Sequence, residues 1–237
     1  MVNIDDVYQK VLVLANKEQR GYITPQEFNL FANQAQKEIF EQYFYDLNQF
    51  SKVHGDSGEY SDIIHNINEK IAIFETTDSF TSGEFNGSAS DLYRLGTVYY
   101  EYNNSHNVVL EEVQQNEVLY MNTSSLTKPT VTRPVYVRTS TSTIEIHPAS
   151  ITEVDCTYIK PPSIPSWGYF VVGNKALFDG SSTALSSGKT INFQLHQSEE
   201  SELVYKILKF AGISMDKINV MRAGQVQEQS QVQQEKQ

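Results

Sequence analysis

The spacing of apolar residues changes near residue 76, and this change constrains the fold of the 237-residue chain more than any other feature. Before residue 76, apolar side chains recur every three or four positions, which is the spacing of one face of an α-helix. Beyond it, short runs of alternating apolar and polar residues are separated by Ser, Thr, Asn and Gly, a pattern typical of half-buried strands. The sequence therefore predicts an α+β fold with an N-terminal antiparallel helical bundle at 1–75 and a central antiparallel β-sheet or small sandwich.

Three helices are predicted in the N-terminal part. The first covers 4–15, the second begins at Pro25, and the third covers 60–74. The second helix has the clearest pattern, because its apolar residues continue at helical spacing for about five turns. These residues are Phe28, Phe31, Ala32, Ala35, Ile39, Tyr43 and Leu47.

Several apolar runs predict strands between residues 80 and 160. They are LYRLGTVYYEY, VLYMN, PVYVRTS, TIEIHP and EVDCTYI. Three prolines follow at 161, 162 and 165, and because proline cannot donate a sheet hydrogen bond, they predict a rigid connection at 161–170 that carries Trp167 and Tyr169. The segments KALFDG and KTINFQLH predict one more hairpin within 175–196, so that the β-rich domain extends over 76–196.

The C-terminal part is predicted to contain one helix and a tail. Ser198, followed by acidic residues, predicts the start of the helix, and Gly212 predicts its end. This helix, within 197–223, is predicted to pack on the core. Residues 224–237 are rich in Gln and cannot bury enough apolar surface to fold alone, which predicts a flexible polar tail that is disordered or becomes ordered against a partner.

Residues 16–28, NKEQRGYITPQEF, fit two structures with different functions. On a calcium-loop template, Asn16 and Glu27 occupy the first and last ligand positions. On a capping-box template, Thr24 is the N-cap of the second helix and Glu27 reaches back to it. Arg20 would place a positive charge at a ligand position, where it repels a cation. The sequence therefore favours the capping box.

The chain is acidic, with 29 acidic and 18 basic residues and a formal net charge of -11. Lys and Arg do not cluster, so we expect no specific nucleic-acid binding, although an acidic wall allows DNA to slide past. Cys156 is the single cysteine, which excludes a disulfide within one chain, and we expect it to be buried in a strand. The N-terminus is acidic and its apolar run VLVLA is short, so we expect synthesis in the cytosol without secretion or membrane insertion.

The sequence contains no recognisable catalytic or metal-binding motif. The histidines at 54, 65, 106, 147 and 196 lie far apart and show no metal-ligand spacing. There is no Gly-rich phosphate loop and no G-x-S-x-G turn, and the carboxylates are scattered. We therefore expect no enzymatic activity, no catalytic residues, no cofactor and no metal.

Aromatic residues cluster at 43–45 (Tyr-Phe-Tyr) and at 99–102 (Tyr-Tyr-Glu-Tyr). Three consecutive residues of a helix cannot all face one core, so at least one residue of the first cluster must lie on a surface. We interpret both clusters as packing and interface residues, and a sugar-stacking surface is the alternative.

Three segments, with the order of helical bundle, strand domain, proline-aromatic link, capped helix and polar tail, carry a family resemblance. They are NKEQRGYITPQEFNLFANQAQKEIFE at 16–41, LTKPTVTRPVYVRTSTSTIEIHPASITEVDCTYIKPPSIPSWGY at 126–169, and ESELVYKILKFAGISM at 200–215. In these features the chain resembles the neck proteins of tailed bacteriophages, the head-to-tail adaptor or ring proteins that lie beneath the portal.

The resemblance implies a virion structural protein without catalytic activity. Such proteins form homo-oligomeric rings, commonly of twelve copies, that dock on the portal, carry the tail or a second ring below, and let DNA pass without specific binding. The resemblance also implies that the helix at 199–211 and the tail from Gly224 contact the portal or a neighbouring subunit. Two alternatives are a minor tail or surface module whose tyrosines stack on glycans, and a calcium-binding helical module built on 16–27.

Overall fold

The computed structural model describes residues 1–17, 23–52, 58–102, 106–173, 175–180 and 189–214, together with 226, 227, 229, 230 and 233. The long helices are α1 (Ile4–Lys17), α2 (Pro25–Lys52), α3 (Gly58–Ala72) and α5 (Glu200–Ser214), with a shorter α4 (Gln115–Thr123) between them in sequence. The strands are β1 (Glu75–Thr81), β2 (Glu84–Phe85), β3 (Arg94–Tyr102), β4 (His106–Val109), β5 (Glu111–Glu112), β6 (Val135–Arg138), β7 (Ile144–His147), β8 (Glu153–Ile159), β9 (Tyr169–Val172) and β10 (Lys175–Phe178). This combination of helices and mainly antiparallel sheets confirms the predicted α+β fold.

The chain divides into two compact units. The helical unit contains Met1–Ile73 and Pro162–Gln237, and the strand unit contains Phe74–Pro161. The apolar pattern predicts a β-rich domain that extends to residue 196, whereas the strand unit ends at Pro161. Residues 162–196 belong with the helices instead.

Two amide side chains of α2 explain this assignment. Gln36 is fully buried, and its Nε2 donates to the carbonyl of Ser163 at 2.8 Å while its Oε1 accepts from the backbone N–H of Gln194 at 3.0 Å. Asn29 accepts the backbone N–H of Trp167 at 2.7 Å. A buried amide must satisfy its donors and acceptors, so these side chains hold the irregular proline-containing segment against the helix.

The helical unit is built around α2, which packs against α3 and α5, while α1 packs against α5. The apolar face of α5 is buried in this unit. Its residues are Leu203, Val204, Ile207, Leu208 and Ala211.

The predicted C-terminal helix is confirmed, although its cap and its last residue differ from the prediction. The helix continues through Gly212 to Ser214. It is preceded by a 3-10 turn (Gln197–Glu199) whose N-cap is His196 rather than Ser198, because the Nδ1 of His196 accepts the backbone N–H of Ser198 at 3.3 Å. An imidazole nitrogen supplies the acceptor that a Ser or Asp side chain usually provides.

The strand unit contains a five-stranded antiparallel sheet with the order β2-β1-β8-β3-β4 and a three-stranded sheet with the order β5-β6-β7. Alternation along β8 places Val154, Cys156 and Tyr158 in the core. The other members of this core are Phe80, Leu92, Val98, Leu110, Tyr136, Ile144, Ile146 and Ile151.

The VLYMN run was predicted as a strand, and this prediction is wrong because the run lies in α4. The backbone N–H of Gln114 donates to the carboxylate of Glu117 at 3.0 Å, which favours a helix start immediately before the run. Val118 and Met121 are three residues apart and pack together on Val135 of β6. A short apolar run fits the residue spacing of a helix as well as that of a strand, and here the cap before the run favours the helix.

The hairpin predicted from KALFDG and KTINFQLH is also wrong. β10, which contains KALF, pairs with β9 on its N-terminal side, with Val172 opposite Lys175 and Tyr169 opposite Phe178. Ile191 and Phe193 of the second segment form isolated bridges to Ser166 and Val2. β9 is the nearer partner because a two-residue turn closes the pair, and such turns match the twist of antiparallel strands.

Candidate functional site

The segment that fits both a calcium loop and a cap forms the capping box. The backbone N–H of Glu27 donates to Thr24 Oγ1 at 3.3 Å, and the Glu27 carboxylate accepts from the backbone N–H of Thr24 at 3.0 Å and from its hydroxyl at 2.8 Å. The predicted capping box is therefore confirmed. The backbone hydrogen bond from Thr24, with the one from its hydroxyl, lowers the pKa of Glu27. Residues 18–22, including Arg20, lie outside the described residues, as does the Asn16 side chain.

The cysteine and two of the histidines have contacts that stabilise the fold. Cys156 is fully buried in β8, which confirms its predicted place, and burial raises the pKa of its thiol to about 11. At neutral pH the thiol is therefore protonated and a poor nucleophile. His196 caps the turn before α5, and His147 Nε2 lies 3.3 Å from Glu145. Across the described ranges, no group of three or more His, Cys, Asp or Glu side chains has a metal-binding arrangement; His54 lies outside these ranges.

A buried charged cluster in the helical unit was not found from the sequence. Lys70 Nζ lies 2.5 Å from a carboxylate oxygen of the fully buried Glu199, which joins α3 to the turn before α5. Lys206 lies 3.4 Å from Glu202 and 3.9 Å from Glu38 of α2. Buried charges need partners, and these pairs link the helices that build the unit. Nothing in the local sequence marks them, because each residue resembles an ordinary charged residue of a helix surface.

A cavity of about 370 Å³ adjoins this cluster, between α2, α3 and the start of α5. Tyr43 and Phe50 contribute aromatic walls, and Lys70 Nζ lies 5.8 Å from the centroid of the Tyr43 ring. Four carboxylates line it, and two of them, Glu199 and Glu202, pair with lysines. The cavity is thus a mixed apolar and charged space within the framework of the helical unit.

A second depression, of about 500 Å³, lies between α1 and α5 and is called the α1–α5 groove here. Its apolar lining consists of Val13 and Leu14, which are exposed, and Val204 and Tyr205. The remaining lining residues are Gln9, Lys10, Glu200 and Ser201, and Lys10 forms an ion pair with Glu200. The groove therefore presents apolar side chains, and the net charge of its described lining residues is zero.

The β9–β10 hairpin presents a second apolar surface on the helical unit. Residues directly opposite each other in an antiparallel pair share a face, so Phe170, Val172, Lys175 and Leu177 lie on one face, called the outer face here. Val172 is 56% exposed and Leu177 is 45% exposed.

The opposite face of the hairpin rests on Trp167. The buried Trp167 ring stacks on Tyr169 at 5.8 Å and on Phe178 at 5.7 Å between centroids. Trp167 is itself held by Tyr8, 4.4 Å away, and by a 2.9 Å hydrogen bond from its Nε1 to Asp5. Trp167 therefore anchors this face at Tyr169 and Phe178, while Val171 of the same face, near the turn, is 63% exposed.

The strand unit has an apolar surface of its own around α4. Val118 faces the interior, but Leu119 is 71% exposed and Tyr120 is 77% exposed. Leu126, in the turn after the helix, is 87% exposed. Large apolar side chains grouped on a surface mark interaction sites more often than single exposed residues do.

The two aromatic clusters differ in their surroundings. In the first, Tyr43 is buried and Tyr45 is exposed, as three consecutive helical residues require. In the second, the Tyr100 hydroxyl donates to the carbonyl of Val131, and the Tyr100 ring packs edge-on against Tyr102 at 6.3 Å. Packing accounts for Tyr43 and Tyr100.

Among the described residues, none of the helices contains an apolar stretch that would span a lipid bilayer. No model of a known protein family matches the chain, and no curated protein has a similar sequence.

Proposed function

We propose that the protein is a non-enzymatic virion structural protein that forms a ring in the neck of a tailed bacteriophage. Copies of the chain associate with one another, and the ring connects the portal to the tail or to a second ring protein. DNA passes through the ring without specific binding. Twelve copies is the stoichiometry that the family resemblance implies.

The observation that carries this proposal is that each unit exposes its own apolar surface on a strongly acidic chain. The helical unit has the α1–α5 groove and the outer face of the hairpin, and the strand unit has the surface around α4. A neck subunit must contact two neighbours in its ring and further proteins above and below it. Several separate apolar surfaces meet this requirement, because interface cores are depleted in charged residues.

The charge of the chain agrees with a DNA conduit. A net charge of -11 disfavours tight contact with phosphates, so DNA can move past such a wall without being retained. Neutral surfaces are then needed where copies meet, because like-charged copies repel each other.

The buried apolar face of α5 refines the proposed contact with the portal. This face is used within the helical unit, so a partner of the helix at 199–211 would touch its remaining side, which includes Glu200, Ser201 and Tyr205. The tail from Gly224 onward is the stronger proposed contact, since an added partner could order it.

Native mass spectrometry tests the proposal. The protein is measured alone and after co-expression with the portal-like product encoded nearest its gene. A discrete ring, or a stoichiometric complex with the portal-like product, is the expected result. A monomer under both conditions would reject the neck function.

A glycan-binding structural module is the second candidate, because aromatic rings form a row along β3 and β4. Tyr102 lies 6.3 Å from Tyr100 and 5.5 Å from the His106 ring. Tyr100 and Tyr102 are half-buried and His106 is exposed, and aromatic rings with an accessible face stack on sugars. Binding of the full chain to a glycan array, lost in Tyr102→Ala, would support this candidate over the neck function.

A further inference from the structure

The helical unit carries two apolar surfaces of different shape, a projecting hairpin face and a recessed groove. The outer face of the hairpin offers Val172 and Leu177, and the groove offers Val13, Leu14 and the side of α5. Two different surfaces that fit each other generate a head-to-tail contact, and such a contact closes into a ring when the rotation between copies allows it. A single self-complementary surface would give a two-fold dimer instead.

Charge favours a second copy of this chain as the occupant of the groove. Between residues 161 and 178, Lys175 is the only charged residue, so the hairpin segment carries a charge of +1 on a chain of -11. Among the described residues, the charged lining of the groove consists of the Lys10–Glu200 pair. Two acidic copies approach most easily where neither surface carries a net negative charge, and the described residues of these two surfaces satisfy this condition.

The anchoring of the hairpin favours the same arrangement. Trp167 fixes the face that contains Tyr169 and Phe178, so the outer face is held in place before binding. A two-stranded hairpin is at best marginally stable without packing on its faces. A partner that covers the outer face would complete this packing and would lose little conformational entropy on binding.

We infer that the outer face of the β9–β10 hairpin of one copy packs into the α1–α5 groove of the next copy. This inference rests on the proposed function, because it names the surfaces through which the ring would form. The contact buries Val172 and Leu177 against Val13 and Leu14. Lys175, at the turn end of the hairpin, lies beside Val172 and adds an attraction to the acidic neighbour.

A charge placed in the contact provides the first measurement. Val172→Asp puts a carboxylate on the outer face at an exposed position, where the isolated chain tolerates it, but it must be desolvated in the contact. We expect Val172→Asp to weaken self-association at least tenfold by native mass spectrometry over a concentration series. Leu30→Asp is the matched control, because Leu30 is exposed on α2 of the same unit and does not line the groove.

Disulfide trapping between two differently tagged variants provides the second measurement. One carries Val172→Cys and the other Val13→Cys, both at exposed positions, so a mixed disulfide is intermolecular by design. The buried Cys156, with its thiol pKa of about 11, competes poorly at pH 8. We expect the mixed disulfide to form about tenfold more efficiently than with Leu30→Cys in place of Val13→Cys, because a contact raises the effective concentration.

The remaining outcomes separate this inference from the proposed function. If Val172→Cys forms mixed disulfides equally well with Val13→Cys and with Leu30→Cys while the protein remains oligomeric, the hairpin contact is overturned. The ring proposal is then left intact. A dominant Val172→Cys homodisulfide would assign the hairpin to a two-fold contact. Trapping that requires removal of residues 224–237 would assign the groove to the chain's own tail, and a monomer at every concentration would overturn both proposals.

Discussion

The two tight hairpins of the molecule have the same local design and opposite environments. β1–β2 and β9–β10 both have two-residue turns that contain a glycine with positive φ, Gly83 at +83° and Gly173 at +55°. The first turn is built into the strand unit, because the Ile144 N–H donates to the Gly83 carbonyl at 2.8 Å. The second turn is open, since nothing lies within 4 Å of a Cβ added at Gly173 among the described residues.

The apolar side chains of the two hairpins differ in the same way. Phe80 of β1 is fully buried and lies 5.3 Å from the Phe85 ring, which in turn lies 5.1 Å from Tyr158. Leu177 of β10 remains nearly half exposed. The alternation of residues along the strands therefore specifies a hairpin. The neighbours of the hairpin determine whether its apolar residues stabilise the fold or remain available for a partner.

The largest expected effect is the loss of a buried ring from the first hairpin. Phe80→Ala should lower the free energy of unfolding of the strand unit by about 3–5 kcal/mol, because it leaves a cavity among well-packed neighbours. Leu177→Ala is the matched change in the second hairpin and should cost less than about 1 kcal/mol in the isolated chain, because this side chain is largely solvated. Urea denaturation followed by far-UV circular dichroism measures both, and similar costs would contradict the comparison.

The turn glycines provide the next contrast. A Cβ at Gly83 would lie 2.2 Å from the Ile144 carbonyl oxygen, so Gly83→Ala should cost about 3 kcal/mol from the clash and the positive φ together. Gly173→Ala meets no atom of the described residues within 4 Å and should cost only about 1 kcal/mol for its φ. Thermal unfolding of the two variants gives the order of their effects. A larger loss for Gly173→Ala would show that the second turn is constrained after all.

The N-terminal cap of α2 is exposed and local, so its loss should destabilise the protein less than a change in the buried first hairpin. Thr24→Ala removes the side-chain acceptor of the Glu27 N–H and should destabilise the helical unit by about 1 kcal/mol. The single Trp167 lies in this unit, so its fluorescence during urea denaturation follows the relevant transition. Thr24→Ser keeps the hydroxyl and should remain close to the wild type; an unchanged midpoint for Thr24→Ala would exclude Thr24 as the cap.

The smallest expected effect is a pH dependence at the same cap. The pKa of Glu27 is lowered from its ordinary value of 4.5, so its stabilising effect is fully present above that value and is lost as the pH falls through the lower value of the folded state. Glu27→Gln keeps the reach to Thr24 but cannot titrate. The stability difference between the wild type and Glu27→Gln should therefore shrink between about pH 6 and pH 3. A difference that does not change with pH would mean that the Glu27 charge does not contribute to the cap.

Local features were predicted well from the sequence. The capping box at Thr24 and Glu27 depends on residues three positions apart, so its signal lies within one turn. The apolar residues of α2 recur at helical spacing over many residues, so this helix is also predicted from the local pattern. The short VLYMN run was assigned to a strand because few residues define its period, and the end of α5 was misplaced because a glycine is tolerated within a helix when its neighbours pack.

The candidate surfaces could be predicted only in part. The surplus of aromatic residues predicted interface side chains, and Tyr45 is exposed, but Val172 and Leu177 read as ordinary strand residues. Their exposure depends on which neighbours the fold places against the hairpin, and Trp167 lies against the other face, at Tyr169 and Phe178. The burial of Lys206 likewise depends on carboxylates from two helices, Glu38 and Glu202.

The α+β class, the three N-terminal helices, the cap of α2 and the acidic net charge all follow from the amino-acid sequence alone. These properties follow from residue spacing and composition, which act within a few turns or over the whole chain. The placement of residues 162–196 in the helical unit and the exposure of Val172 and Leu177 on the hairpin come from tertiary contacts. Those outcomes depend on Gln36, Asn29 and Trp167 meeting residues more than a hundred positions away in the chain, and local patterns carry no information about such distant partners.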